Sequence, residues 1–407
     1  MKKHLTLLFG PILFFLLQGL LVGSLDEMAT VIGLATWMIF WWITEAAPIP
    51  VTSLLPIVLL PLTGIFTVAE ATAPYASPII FLFMGGFMIA LGLEKHNLHL
   101  RLALNILKLT GSSGNGIIFG FMAATALLSM WISNTATAVM MLPIATSVVQ
   151  LLSSDGLIKS EKKFALALML GIAYSANIGG TMTLIGTPPN VVMAGYTDQL
   201  LDIQLNFGTW MSLAVPIGLT LLSLTYFLLT KLLFKNNIHK VDGSTQLITN
   251  ELNRLGKPST QEKLVISIFF LTAFGWIFKS PINELIGANV LTDHITAMAG
   301  GILMFIMPSD ALGQKLLDWE DTKRLPWGIL LLFGGGMALA KAMAAVGIID
   351  QIGKVVTNLA DAPLAMLILI VTTLVLFMTE VMSNVALVTI INPVIIGIGQ
   401  GIDVDPL

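Results

Sequence analysis

With 407 residues, 56% of them hydrophobic and 11% charged, the chain carries less than half of the roughly 25% charge of a soluble globular domain. That composition excludes a water-soluble fold. The absence of cysteine excludes a disulfide framework, thiol catalysis and a cysteine metal site, and a net charge of −3 singles out no partner and gives no reason to expect nucleic acid.

Met1-Lys2-Lys3 and the apolar run that follows resemble a signal peptide. No small-residue cleavage site precedes Asp26-Glu27, so Leu5 to Leu25 reads as a retained first span. Met28 to Ile43 is a second span. The stretch from Trp41 to Gly64 then holds Pro48, Pro50, Pro56 and Pro61. Proline inside a helix removes a hydrogen bond and clashes with the preceding turn, so the first pair marks a break and the second bends or ends the next helix. Glu45, at the break, reads as an interfacial cap of the helix that follows. Pro78 to Leu93 is apolar, and its Gly85-Gly86 pair allows close helix approach. Glu94 to Lys108 alternates leucine with basic and polar residues, as suits an amphipathic helix at a membrane surface. His96 and His99 there read as solvated.

Leu128 to Pro143, LSMWISNTATAVMMLP, places Ser133, Asn134 and Thr135 within an apolar segment running from Gly116 to Val149. Three adjacent polar side chains in hydrocarbon are costly unless protein or a wet cavity satisfies them. The apolar arms on either side are about 15 to 18 residues long, which fits two full spans or a re-entrant hairpin alike. The polar tip favours the hairpin. Phe164 to Met193 carries Gly179, Gly180, Gly186, Pro188 and Pro189 in an apolar context, the pattern of a spanning helix broken midway by unwound backbone. Trp210 to Phe234 is an uninterrupted span and Lys235 to Lys263 a polar surface connector. Leu264 to Lys279 and Leu291 to Met307 are further spans, and Pro308 to Arg324 is polar.

The central motif recurs as Phe377 to Pro393, FMTEVMSNVALVTIINP. An offset of 250 residues takes Ser133, Asn134 and Pro143 to Ser383, Asn384 and Pro393, and Phe83, Gly85 and Gly86 to Phe333, Gly335 and Gly336. Duplicated halves with interrupted hydrophobic segments point to a transporter. Flanking charge orients them. Lys95, Arg101 and Lys108 precede the first motif and Lys159, Lys162 and Lys163 follow it, against Glu94, Asp155 and Glu161. Asp350, Lys354 and Asp361 precede the second, and Asp403 and Asp405 follow it. The positive-inside rule puts the first flanks in the cytoplasm with Lys2 and Lys3, and the second flanks outside. The repeats are then inverted.

Ser, Asn and Thr supply neutral oxygen ligands, and freed carbonyls can replace the hydration shell of a sodium ion. Helix N-termini at a break suit an anion, and neither motif contains Lys or Arg. The alternative is that the triplet only bonds between helices. An enzyme reading finds no support: the five histidines are scattered, with neither HExxH nor GxSxG. Glu380 reads as a buried carboxylate bonded to the backbone that holds the second hairpin, in preference to a proton relay.

The stretches at 41–56, 129–143, 173–190, 331–339 and 379–393 resemble the divalent anion:sodium symporter family, whose members carry dicarboxylates, citrate or sulfate. The resemblance covers nearly the whole chain. It implies an all-α integral membrane fold, a homodimer, and a scaffold with a mobile transport domain that shifts like an elevator. Sodium would be the coupling ion, with no other cofactor. It implies a first sodium site from Ser129, Ser133, Asn134 and the Gly179–Gly180 backbone, and a second from Thr379, Met382 through its carbonyl, and Asn384. Asn134, Thr135, Ser383 and Asn384 would hold the substrate carboxylates. The corresponding partition is scaffold 1–75, transport part 76–200 (hairpin 114–150, broken helix 164–197), last helix and connector 201–262, scaffold 263–324, and transport part 325–407 (hairpin 363–401).

Two departures stand out. Val385 replaces the threonine of the family's second tip, removing a hydrogen-bond donor worth about 1–3 kcal/mol to a bound anion. A second Gly-Thr-Pro-Pro-Asn is missing: by the same offset it falls beyond Leu407, so the second repeat is expected to be C-terminally incomplete. The expected function is sodium-coupled import of a small divalent anion, a C4-dicarboxylate such as succinate or malate, by a multi-pass membrane protein, of the inner membrane if the source is a bacterium, with the N-terminus in the cytoplasm. The alternatives are a sodium-independent anion exchanger, a proton-coupled ion transporter using Glu380, and an incomplete, non-transporting remnant.

Overall fold

The computed structural model describes residues 2–20, 26–152, 159–309, 313–356, 363–380, 382–402 and 404. Asp155, Asp361, Asp403, Asp405 and Leu407, used above for orientation and chain end, lie outside them. The described residues are helical throughout, apart from turns and an isolated bridge between Pro308 and Lys315. In chain order the helices are α1 (Lys2–Leu20), α2 (Asp26–Thr44), α3 (Ile49–Thr52), α4 (Leu55–Leu62), α5 (Val68–Thr72), α6 (Pro78–Lys95) and α7 (Leu98–Leu109). Then come α8 (Gly114–Ser129), α9 (Asn134–Gln150), α10 (Lys159–Thr181), α11 (Pro188–Leu201), α12 (Phe207–Phe227) and α13 (Ser244–Arg254). The last are α14 (Thr260–Ile277), α15 (Lys279–Ile286), α16 (Asp293–Ile306), α17 (Trp327–Ala345), α18 (Ile348–Val356), α19 (Leu364–Met378) and α20 (Asn384–Gly401). Among the described residues, six helical stretches are long and apolar enough to cross a membrane, and α14 with α15 makes a seventh if that pair, bent by 74°, is one span.

The 250-residue offset is visible in the element boundaries. α7 and α18 begin at Leu98 and Ile348, and α9 and α20 begin at Asn134 and Asn384. Pro143 and Pro393 lie inside the latter two helices. The copies differ in burial. Most of α8 is buried, packed on α10, whereas α19, more apolar still, has no buried residue.

The chain forms two compact units. The first comprises 1–81, 191–205 and 326–407. Its core joins Leu34, Met38, Trp42, Leu60, Leu332, Leu339 and Ala386. α17 approaches the α3–α4 break closely: a Cβ on Gly335 would lie 2.2 Å from the Ser53 carbonyl oxygen, which accepts the Tyr75 hydroxyl. Pro48, not Glu45, precedes the first turn of α3, and it has no side chain able to cap. Glu45 is exposed, in the left-handed region at φ 49°. It ends the preceding helix rather than starting the next. Glu380 is also exposed, in the turn after α19, which corrects the expectation of a buried carboxylate.

The second unit comprises 82–190 and 206–325. Its core, with Leu104, Ile118, Phe121, Met141, Phe164 and Leu168 among its members, is built from α7 to α10. The connector at 235–263 is more than a polar surface. It folds into α13, buries Val241 and Ile248 in that core, and packs on α7. Arg101 explains why: its guanidinium pairs with Glu262 at 3.0 Å, both side chains largely buried, and donates to the Leu255 and Gly256 carbonyls. Gly85 performs the expected close approach, a Cβ there lying 2.4 Å from the Ala297 carbonyl carbon of α16. His96 and His99 are half-buried, not solvated; their rings bond the Leu316 and Leu93 carbonyls at 2.8 and 2.9 Å.

Candidate functional site at the first hairpin tip

Why α8 stops at Ser129 and α9 starts at Asn134 is legible locally. Ser133, at φ −56° and ψ 142°, is the N-cap of α9, and its hydroxyl accepts the Ala136 N–H at 3.2 Å. Serine is a preferred N-cap because its short oxygen reaches a donor left free by the first turn. The turn between the helices is fixed from behind by Trp131, whose ring stacks at 6.0 Å on Phe207 and 6.4 Å on Trp276 and meets Phe269 edge-on at 4.7 Å.

Three oxygens meet at the tip. Ser129 Oγ lies 2.7 Å from Asn134 Oδ1 and 2.7 Å from the Ala176 carbonyl oxygen of α10. A hydroxyl has one proton to donate, so it cannot satisfy both acceptors at once. The cluster therefore holds an excess of lone pairs, in a place where Ser129 is fully buried. The Asn134 amide Nδ2 donates to Asn177 Oδ1 at 3.2 Å, which orients its oxygen toward Ser129.

α10 closes on this cluster because two positions lack side chains. A Cβ on Gly179 would lie 2.2 Å from the Ala126 carbonyl oxygen, and one on Gly180 would lie 2.2 Å from Asn134 Oδ1. These glycines remain helical, in the last turn of α10; the unwound segment is 182–187. Gly186 lies in the unwound segment as expected, whereas Gly179 and Gly180, and Pro188 and Pro189, are helical. A helix C-terminus leaves its last carbonyls without their usual donors; here the Gly179 carbonyl accepts the Met182 N–H and the Gly180 carbonyl accepts Asn190 Nδ2, each at 3.0 Å, so the last turn is tied without unwinding.

The break itself is tied by Asn190 and Thr183. Asn190, buried at the start of α11, donates from Nδ2 to the Thr183 carbonyl at 2.7 Å and the Gly180 carbonyl at 3.0 Å. The buried Thr183 hydroxyl donates to the Met130 carbonyl and accepts the Gly186 N–H. A Cβ on Gly186 would lie within 2.6 to 3.0 Å of the carbonyl oxygens of Gly180, Met130 and Ser129. The structure thus brings Ser129, Asn134 and Gly180 together, with Gly179 behind them and Ser133 as the adjacent cap. Thr135 is exposed on the first turn of α9. Asn177, Thr183 and Asn190 were not singled out as site residues from sequence. Asn190 had a signal, since it ends the Gly-Thr-Pro-Pro-Asn run, but Asn177, near the end of α10, and Thr183, in the break, are single polar residues in a polar-rich stretch.

The second tip is more open. The Thr379 hydroxyl donates to the Leu376 carbonyl of its own helix at 2.7 Å. The Met382 side chain lines an apolar cavity of about 380 Å³ with Ile43, Leu374, Phe377 and Met378. Ser383 is the N-cap of α20 without a side-chain bond, and Asn384 is exposed. Val385 packs against the apolar core of its unit.

Among the described residues no three His, Asp or Glu side chains gather as a metal-binding group. The donors at the first tip are hydroxyl, amide and carbonyl oxygens, a set that suits a hard monovalent cation.

A family model described as citrate transporter matches residues 39–407. The sodium-dependent dicarboxylate transporter SdcS of Staphylococcus saprophyticus is 37% identical over 412 residues, covering 98% of this chain and 79% of that protein. The SdcS proteins of Staphylococcus aureus strains RF122 and USA300 are each 38% identical over 411 residues, with the same coverage. By these matches the chain belongs to the divalent anion:sodium symporter family, matched by the citrate transporter model.

Proposed function

We propose that this protein is a sodium-coupled symporter that imports a small divalent anion, a C4-dicarboxylate such as succinate or malate. The observation that carries the reading is the lone-pair-rich cluster of Ser129, Asn134 and Ala176 beside the α10 C-terminus. A sodium ion there accepts the surplus lone pairs and lies near the negative end of the helix dipole. Relatives named as sodium-dependent dicarboxylate transporters supply the substrate class.

In this reading Ser133 and the Gly179–Gly180 backbone complete the first sodium site. Thr379, the Met382 carbonyl and Asn384 contribute to a second. Asn134, Thr135, Ser383 and Asn384 hold the substrate carboxylates at the positive ends of α9 and α20. Sodium binding comes first, because a doubly charged anion at a site without Lys or Arg needs cations for neutralisation. α8 has 16 residues, about 24 Å of helix against a hydrocarbon core of about 30 Å, which favours a re-entrant hairpin over two full spans. The two copies are inverted repeats, and the transport parts move against the scaffold of a homodimer in an inner membrane, with the N-terminus in the cytoplasm.

The test is uptake of labelled succinate into proteoliposomes containing the purified chain. Uptake driven by an inward sodium gradient, and lost when potassium replaces sodium, supports the reading. Uptake that ignores sodium would make the protein an exchanger, and no uptake would remove the transport reading.

A further inference from the structure

Behind the first tip, on the side of α6 and α7, lies a separate cavity of about 210 Å³. It is bounded by Thr137 and Ala136 of α9, Asn97 and His99 at the α7 start, and Glu94 and Arg324. Thr137 is 2% exposed, and its hydroxyl has no hydrogen-bond partner. That is unlike other helical threonines: Thr146 on the same helix, and Thr220 and Thr230 elsewhere, each donate to the carbonyl four residues earlier. A buried hydroxyl that forgoes this local bond is costly until it finds a partner, and Thr137 borders this cavity. Arg324 offers charge to the same space. It bonds Glu94 at 3.1 Å through Nη2 alone, and its side chain remains 55% exposed, so most of its five donors face no described acceptor. His99 contributes no competing charge, since burial holds its pKa below the ordinary value and its Nδ1 is engaged by Leu93.

We propose that this cavity is an accessory carboxylate site, in which the carboxylate of a small organic anion displaces Glu94 from Arg324 and accepts the Thr137 hydroxyl. A planar guanidinium can hold a carboxylate through two parallel bonds, and Glu94 occupies one of those donors. The site lies about one helical turn along α9 from Asn134, so an anion held there is staged next to the tip without requiring sodium. The identity of that anion as the transported dicarboxylate rests on the function proposed above; the site itself does not.

The experiment is calorimetric titration of the purified protein with succinate, with and without sodium. The wild type is expected to show a weak sodium-independent event besides the sodium-dependent one. Arg324→Gln and Thr137→Val should weaken the sodium-independent event at least ten-fold and leave the sodium-dependent one in place. Glu94→Gln, which removes the internal competitor, should strengthen it several-fold, and this gain cannot come from misfolding. Asn134→Ala should have the opposite pattern, losing only the sodium-dependent event. Absence of sodium-independent binding in the wild type, or its persistence unchanged in Arg324→Gln and Glu94→Gln, would overturn the proposal. Loss of the sodium-dependent event alone in the wild type would instead count against the transport reading.

Discussion

Ser129 Oγ and Asn134 Oδ1 stand 2.7 Å apart across the turn that joins α8 to α9, with the Ala176 carbonyl at the same distance from the hydroxyl. Five residues separate the two in sequence, yet they belong to different helices. Their meeting depends on the Ser133 cap and on α10, which supplies the third oxygen.

Ser129→Ala removes one of the three oxygens and leaves a cavity no larger than a hydroxyl. Sodium affinity is expected to fall about ten- to a hundred-fold, the equivalent of about 1.4–2.8 kcal/mol, with the fold retained. Sodium titration of succinate uptake reads the change as a shift in half-saturating sodium.

Gly180→Ala sets propensity against the site. Alanine favours an exposed helix interior by about 1 kcal/mol over glycine. Here its Cβ would lie 2.2 Å from Asn134 Oδ1, so Asn134 must move away from Ser129. Sodium-dependent uptake should be lost while helix content by circular dichroism is unchanged.

Asn190→Ala strips the amide donor from the Gly180 and Thr183 carbonyls. An unsatisfied buried acceptor costs about 1–3 kcal/mol, and two are created. A lower unfolding temperature is expected, and an unchanged one would show that the break is held by other contacts.

His99 makes stability depend on pH. Burial, the largest influence, and Arg324 lower its pKa from 6.5, and the bond to Leu93 and the charge of Glu94 oppose them without reversing the direction. The unfolded chain therefore takes up a proton before the folded one does. Stability is complete above about pH 6.5 and declines as the pH falls toward the folded value. The unfolding temperature should drop as the pH falls below about 6.5, and His99→Gln should flatten that part of the profile.

Much of the architecture could be read from the chain because membrane constraints leave few choices. Long apolar runs gave α2, α6, α10 and α12, and the shared offset anticipated two matching polar interruptions, where α9 and α20 start at Asn134 and Asn384. What escaped was set by tertiary contacts. The 235–263 connector looked polar because most of its residues are, but Arg101 and the contact with α7 fold it into α13. Glu45 looked like a cap because it precedes a helix, but its left-handed backbone turns the side chain outward. At the site, Ser129, Asn134 and Gly180 were named through the resemblance, and residue chemistry alone could not have picked Asn177 or Thr183. The Val385 departure also changes meaning. Because that side chain packs against an apolar core, Val385→Thr is expected to leave dicarboxylate affinity within about two-fold, and a marked tightening would show that position 385 reaches the anion.

The central claim is that the first tip binds sodium, and the most direct measurement is the sodium-induced rise in unfolding temperature of the purified protein, with potassium as control. A ligand that binds only the folded state stabilises by RT ln(1 + [L]/Kd). The account predicts a rise with sodium, none with potassium, and abolition of the sodium effect in Asn134→Ala. An equal rise in Asn134→Ala, or an equal response to both ions in the wild type, would contradict it.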